Sequence, residues 1–391
     1  MNETLDFFEL DEEEDSSSLE ADANLYSQAV LYSSDWTVGT IVDQLERKNI
    51  ELNPRFQRRD AWSKTRKSLF IESLILNLPV PQIVLAEKRE QRGRYIVLDG
   101  KQRLLSLLQF TGKSETPNND FGLSGLEIRG DLIRKKYKNF EDNPELVDDL
   151  NSFLNYTIRT VVIKNWPNKD FLHTVFLRLN TGSVKLSPQE LRQALFPGEY
   201  SNFIDDYAAN SDALKTLLGN KNPDPRMRDV EILSRFVAFH FYLSCYGGRM
   251  KKFLDDSCEK INEQWSSMES KVLDAAREFE KGVIALIDIF GENMIARKES
   301  SRAFNRAIFD ALIYYAARQQ CREAMLKDRK ITLMTFKEIV NNPDFLDSVE
   351  SDTAGIPNTF KRLFLWGAAL AQATGQSFPV PQLVNGKIST L

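Results

Sequence analysis

Histidine is almost missing from this 391-residue chain, which carries His173 and His240 and no others. Metal sites and catalytic triads built on imidazole therefore have little to draw on, and both residues sit in apolar stretches that predict packed helix histidines. Cysteine is equally sparse. Cys245, Cys258 and Cys321 show no C-x-x-C spacing, which excludes the common structural zinc patterns and fits a reducing compartment. No apolar run approaches the roughly 18 residues that a membrane-spanning helix needs. No basic segment precedes an apolar one at the N-terminus, so no secretory signal is expected and the cytoplasm is the predicted location.

Basic residues are absent from the first 24 positions, which hold ten acids; the remainder carries +5 against −5 for the whole chain. A tail of this composition is expected to be disordered. It is either plainly solvated or a competitor for an anionic ligand on the basic body. The chain as a whole is 42% apolar and 27% charged, an ordinary globular profile with length enough for two domains.

The spacing of Trp36, Ile41, Val42 and Leu45 predicts a helix from Trp36 to about Lys48. A short segment, 50–54, leads into a polar loop at 55–60. Ser63 is a candidate N-cap for an amphipathic helix with Leu69, Phe70, Ser73, Leu74 and Leu78 on its buried face, stopped by Pro79-Val80-Pro81. Two β-like runs, 82–88 and 94–98, flank a turn with Gly93. Asp99-Gly100 closes the second, and a helix with a Leu104, Leu105, Leu107, Leu108 stripe follows, ending at Gly112 as its C′ residue. Residues 113–150 read as polar loop with at most one short helix. The β-branched run 156–164 is the strongest strand. A helical period returns from Lys169, a loop breaks it at Asn180–Ser183, and Ser187-Pro188-Gln189-Glu190 forms a capping box with proline at the first helical position. The rest reads as helix, at about 229–246, 265–290, 301–320, 332–341 and 358–373.

Three clusters bear chemistry. Asp99-Gly100-Lys101-Gln102-Arg103 joins a strand to a helix N-terminus, where unpaired N–H groups and the dipole suit a phosphate. Lys101 and Arg103 add charge, and Asp99 can accept from a ligand hydroxyl or help hold a divalent metal. A tight turn with Asp99 capping the helix is the alternative. Arg55-Phe56-Gln57-Arg58-Arg59 offers charge and an aromatic face to an anionic ligand with a flat base, or is a solvated arginine loop. Arg178-Leu179-Asn180-Thr181-Gly182 is a polar interhelical loop. The G-K-S of Thr111–Ser114 follows its helix and lacks the first glycine of a P-loop, so it reads as a helix end.

Taken in order, P-R-F-Q-R, then P-V-P-Q-I-V-L, then Y-I-V-L-D-G-K-Q-R-L, then V-F-L-R-L-N-T-G with L-S-P-Q-E-L-R resemble the DGQQR-motif family of GmrSD restriction enzymes and SspE defence proteins. Residues 226–236 and 304–307 look similar too, so the resemblance spans about 36–320. It implies an α+β chain: an N-terminal ParB/sulfiredoxin-like α/β domain at 25–165, behind the 1–24 tail, and an all-helical domain at 166–391. It also implies nucleoside triphosphate binding, of GTP or ATP with Mg2+, and hydrolysis in many members.

By the same analogy Gln57, Arg58, Asp99, Gly100, Lys101, Gln102, Arg103 and Asn180 line the nucleotide cleft, with Asp99 and Arg103 in the catalytic role. Lys101 departs from the family, which has glutamine there. A histidine-dependent HNH nuclease, common in relatives, is not expected within these residues, because no histidine follows His240. The expected function is a nucleotide-binding, NTP-hydrolysing defence component that acts on DNA or through a separate nuclease or defence subunit, as monomer or homo-oligomer. A non-catalytic sensor of nucleotide or modified DNA, and a ParB-like nickase, are the alternatives.

Overall fold

A computed structural model describes residues 30–52, 62–114, 120–169, 171–172, 174–175, 187–292, 294–297 and 303–389. The acidic tail, the arginine loop with Gln57 and Arg58, and the Asn180 loop lie outside the described residues, as does His173. The chain divides into two compact units, Leu19–Leu195 and Phe196–Leu391.

In the first unit, β1 (Val30–Thr37), β2 (Ile50–Glu51), β3 (Ile83–Glu87), β4 (Tyr95–Asp99) and β5 (Thr157–Lys164) form one sheet in the order β1-β5-β3-β4-β2. The pairings alternate: β1 is antiparallel to β5, β5 parallel to β3, β3 antiparallel to β4, and β4 parallel to β2. The helix expected from Trp36 begins later. Trp36 is a strand residue paired with Ile158, and Thr37 caps helix α1 (Val38–Glu46) by accepting from the N–H of Thr40 at 3.1 Å. The reason is tertiary: β1 is exposed along most of its length, so no burial period marks it, and its partner β5 makes it a strand.

Helix α2 (Lys64–Ile75) starts where expected, with Ser63 Oγ accepting from the N–H of Arg66. Its buried face is rotated from the expected one. Phe70, Ile71, Leu74 and Ile75 are buried together with Lys67, Ser68 and Glu72, whereas Leu78 is exposed. Polar burial explains the rotation: the Glu72 carboxylate accepts from the N–H groups of Glu127, Ile128 and Arg129, and Ser68 Oγ accepts from that of Ser124. Four backbone donors of one loop are thereby satisfied from one helix.

Helix α3 (Lys101–Phe110) buries its whole leucine stripe, and Gly112 follows at φ +70, the left-handed stop that glycine permits. Residues 120–155 hold more order than a polar loop. They contain α4 (Tyr137–Asp142), α5 (Val147–Asn155) and 3-10 turns at Gly130–Leu132 and Pro144–Leu146. Phe121, Phe140 and Phe153 from this stretch are buried around Phe110, with ring centroids 5.5–5.9 Å away. Scattered aromatics with no fixed period found a common partner, which a periodicity argument does not register. Helix α6 (Pro188–Leu195) carries the full capping box: Ser187 Oγ accepts from the N–H of Glu190 at 3.1 Å, and Glu190 Oε2 from that of Ser187 at 2.7 Å.

The second unit is helical: α7 (Glu199–Asn210), α8 (Asp212–Leu218), α9 (Arg228–Tyr242), α10 (Met250–Glu263), α11 (Trp265–Phe290), α12 (Arg306–Ala316), α13 (Gln319–Lys327), α14 (Arg329–Ile339), α15 (Pro343–Glu350) and α16 (Ile356–Thr374). A hairpin, β6 (Gln382–Val384) with β7 (Lys387–Ser389), departs from the all-helical expectation. Buried ion pairs, Arg235 with Asp310 and Arg306 with Glu231, tie α9 to α12. The family-like segments at 226–236 and 304–307 thus supply structural charges. His240 is exposed on α9 beside Phe236, not packed as expected. Cys245 is exposed, while Cys258 and Cys321 are buried, and all three are free thiols. Among the described residues, no helix is long and apolar enough to cross a membrane.

Candidate functional site

The Asp99–Arg103 segment is a strand-to-helix turn. Asp99 ends β4, Gly100 is the N-cap of α3 at φ +96 and ψ 9, and Lys101 opens the helix. A Cβ at Gly100 would sit 3.0 Å from Ile83 Cγ1 and 3.3 Å from Arg103 Nη2. Both the backbone conformation and the space therefore call for glycine here. The first helical hydrogen bond runs from the N–H of Leu104 to the Gly100 carbonyl, and no side chain caps this helix end. A register shift between Val84 and Leu85, with Val84 facing Asp99, puts a β-bulge directly beside the turn. Bulges of this kind gather where a strand end must be re-aimed.

The charged groups of the turn are engaged within the unit. Arg103 Nη2 donates to Asp99 Oδ2 at 3.0 Å and to the Gln82 carbonyl at 2.8 Å. Arg103 is 5% exposed, and its Nε has no hydrogen-bond partner among the described residues. Gln102 is half-buried, with an equally unpartnered Oε1. Lys101 is 4% exposed, and its Nζ lies 2.5 Å from Glu190 Oε1. Lys101 thus joins the turn to the α6 capping box, since the other oxygen of Glu190 holds the Ser187 N–H. Sequence reasoning placed Glu190 only in a capping box; its second role had no local signal, because 89 residues separate it from Lys101.

Topology bears on the remaining residues. β2 and β4 are parallel neighbours, Glu51 facing Ile96, so the chain leaves both strands at the same end of the sheet. Leu52, which follows β2, is therefore at the same end of the sheet as the Asp99–Arg103 turn. Carboxyl ends of parallel strands are where α/β folds place ligands.

A phosphate fits this chemistry: an uncapped helix start, a glycine that permits close approach, and a buried guanidinium N–H without a partner. The Asp99 carboxylate is held by Arg103, and among the described residues no cluster of three or more His, Cys, Asp or Glu could hold an ion.

Residues 38–197, fewer than half of the chain, match the family model described as GmrSD restriction endonuclease, N-terminal domain. No curated protein and no solved structure matches the chain. The match begins at the first residue of α1 and ends just past α6, so it takes in the Asp99–Arg103 turn and the Glu190 that anchors it. Over these residues the chain is similar to the N-terminal domain of GmrSD restriction endonucleases.

Proposed function

We propose that the first unit binds a nucleoside triphosphate by its phosphates at the start of α3, and that the bound state controls an attack on foreign DNA. The observation that carries this reading is the buried, unpartnered Arg103 Nε beside an uncapped helix N-terminus and a left-handed Gly100. Backbone N–H groups of the first turn supply neutral donors, and Arg103 supplies the charge. Asp99 orients the guanidinium from behind, and Gln82 does the same through its carbonyl. Lys101 keeps the turn against α6; for it to touch a phosphate it would have to leave Glu190. Gln57, Arg58 and Asn180 complete the cleft in this proposal, as the family resemblance implies. Hydrolysis would rest on stabilising phosphoryl charge with these donors.

A second reading has an observation of its own. Asp99 is bound to a guanidinium, so it is poorly placed to take a proton from water. That favours a nucleotide sensor that binds without turnover. Phosphate release from ATP, GTP, CTP and UTP, with and without DNA, separates the two. Release by the wild type that Arg103→Ala abolishes supports hydrolysis. Saturable binding without release supports the sensor. Absence of binding to all four overturns both.

A further inference from the structure

Helix α16 carries a second buried cation. Arg362 is fully buried, 0% exposed, and its side chain makes two hydrogen bonds, both from Nη1, to the carbonyls of Ser348 and Thr353. Among the described residues, Nε and Nη2 have no partner and no carboxylate is paired with this guanidinium. These two N–H groups form one edge of the planar group and point the same way, the geometry that grips two oxygens of one anion. One helical turn on, Trp366 is also fully buried, and its Nε1–H lacks a partner as well. Residues four apart on a helix share a face, so Trp366 lies on the same side of α16 as Arg362.

Burial alone does not explain this arrangement. An arginine does not shed its proton in a protein, so its charge persists in the interior. An isolated buried charge is strongly unfavourable, and water can fill hydrogen bonds but cannot neutralise the charge. The other buried arginines of the unit obey this rule: Arg235 has Asp310, and Arg322 has Glu278. The acids nearest in sequence, Asp352 and Glu350, are exposed, as are Asp347 and Asp344, which pair with Lys361.

We infer that the Nε/Nη2 edge of Arg362, with the Trp366 indole N–H, is an internal site for a small oxyanion that acts as a structural counter-ion of the second unit. Two oxygens of a planar or tetrahedral anion meet the guanidinium edge, and the indole donates to the same ion.

The test is thermal unfolding of the full chain in formate, nitrate or phosphate, against an inert buffer at constant ionic strength. The wild type should show a saturable rise in its midpoint. Trp366→Phe, which keeps the ring and loses one donor, should need at least a threefold higher anion concentration to reach half the rise. Arg362→Met, which removes the charge and fills similar space, should abolish the saturable part. A saturable rise that survives Arg362→Met and is lost in Arg103→Ala would come from the phosphate turn of the first unit and would overturn the inference. General salting effects of phosphate are common to all variants and cancel in the comparison. If Arg362→Met fails to fold, the Trp366→Phe shift and a crystal structure of the wild type grown in nitrate decide. Equal responses in wild type and Trp366→Phe, or water alone on Nε and Nη2 in that crystal, would overturn the inference.

Discussion

The Lys101 ammonium meets the Glu190 carboxylate at 2.5 Å, with both side chains at least 96% buried. One buried ion pair therefore joins two motifs that the chain keeps 89 residues apart. Breaking a buried ion pair by removing one member costs about 3–5 kcal/mol. Lys101→Gln, which installs the residue the family resemblance expects, should lower unfolding stability by that amount. Glu190→Gln added to it should recover most of the loss, because an amide pair needs no counter-charge. Denaturant unfolding of wild type, both single variants and the double variant measures this directly. A loss below about 1 kcal/mol for Lys101→Gln would mean that water reaches the pair.

Arg103 stands between structure and ligand, since Nη2 is spent on Asp99 and Gln82 while Nε is open. Arg103→Ala should weaken nucleotide binding at least tenfold, because a lost charge-assisted hydrogen bond costs roughly 1.5–3 kcal/mol. Arg103→Lys, which keeps charge without the fork, should recover only part of that affinity. Titration of nucleotide into each variant, with its thermal midpoint measured alone, separates ligand loss from unfolding. Unchanged affinity in a folded Arg103→Ala protein removes the turn from the site.

Asp224 gives the second unit a pH-dependent lock. Burial pushes its carboxyl up, but the Arg228 side chain and the backbone N–H groups of Arg226 and Arg228 outweigh burial and hold it below the ordinary 3.8. A carboxyl depressed in the folded state contributes stability above its unfolded value and loses it as pH falls through the folded one. The stability difference between wild type and Asp224→Asn should be constant above about pH 5 and shrink below about pH 4. Unfolding curves across that range check it; a constant difference down to pH 2 would show that Asp224 does not titrate as its contacts require.

Features set by a few neighbouring residues were legible in the chain alone. Ser63 as a cap, the Ser187–Glu190 box, Gly112 as a helix stop and the Asp99-Gly100 strand end all depend on contacts within four residues. At that range side-chain chemistry and backbone geometry leave few choices, and the β-branched run of β5 left few either. Tertiary structure decided the rest. β1 exists because residues near 160 pair with it, and the α2 face turned because Glu72 found three backbone donors more than fifty residues away. Lys101, read as a phosphate ligand from its place at a helix start, pairs with Glu190, 89 residues away. A charge in sequence has only its type; which opposite charge shares its low-dielectric pocket is settled when distant segments pack.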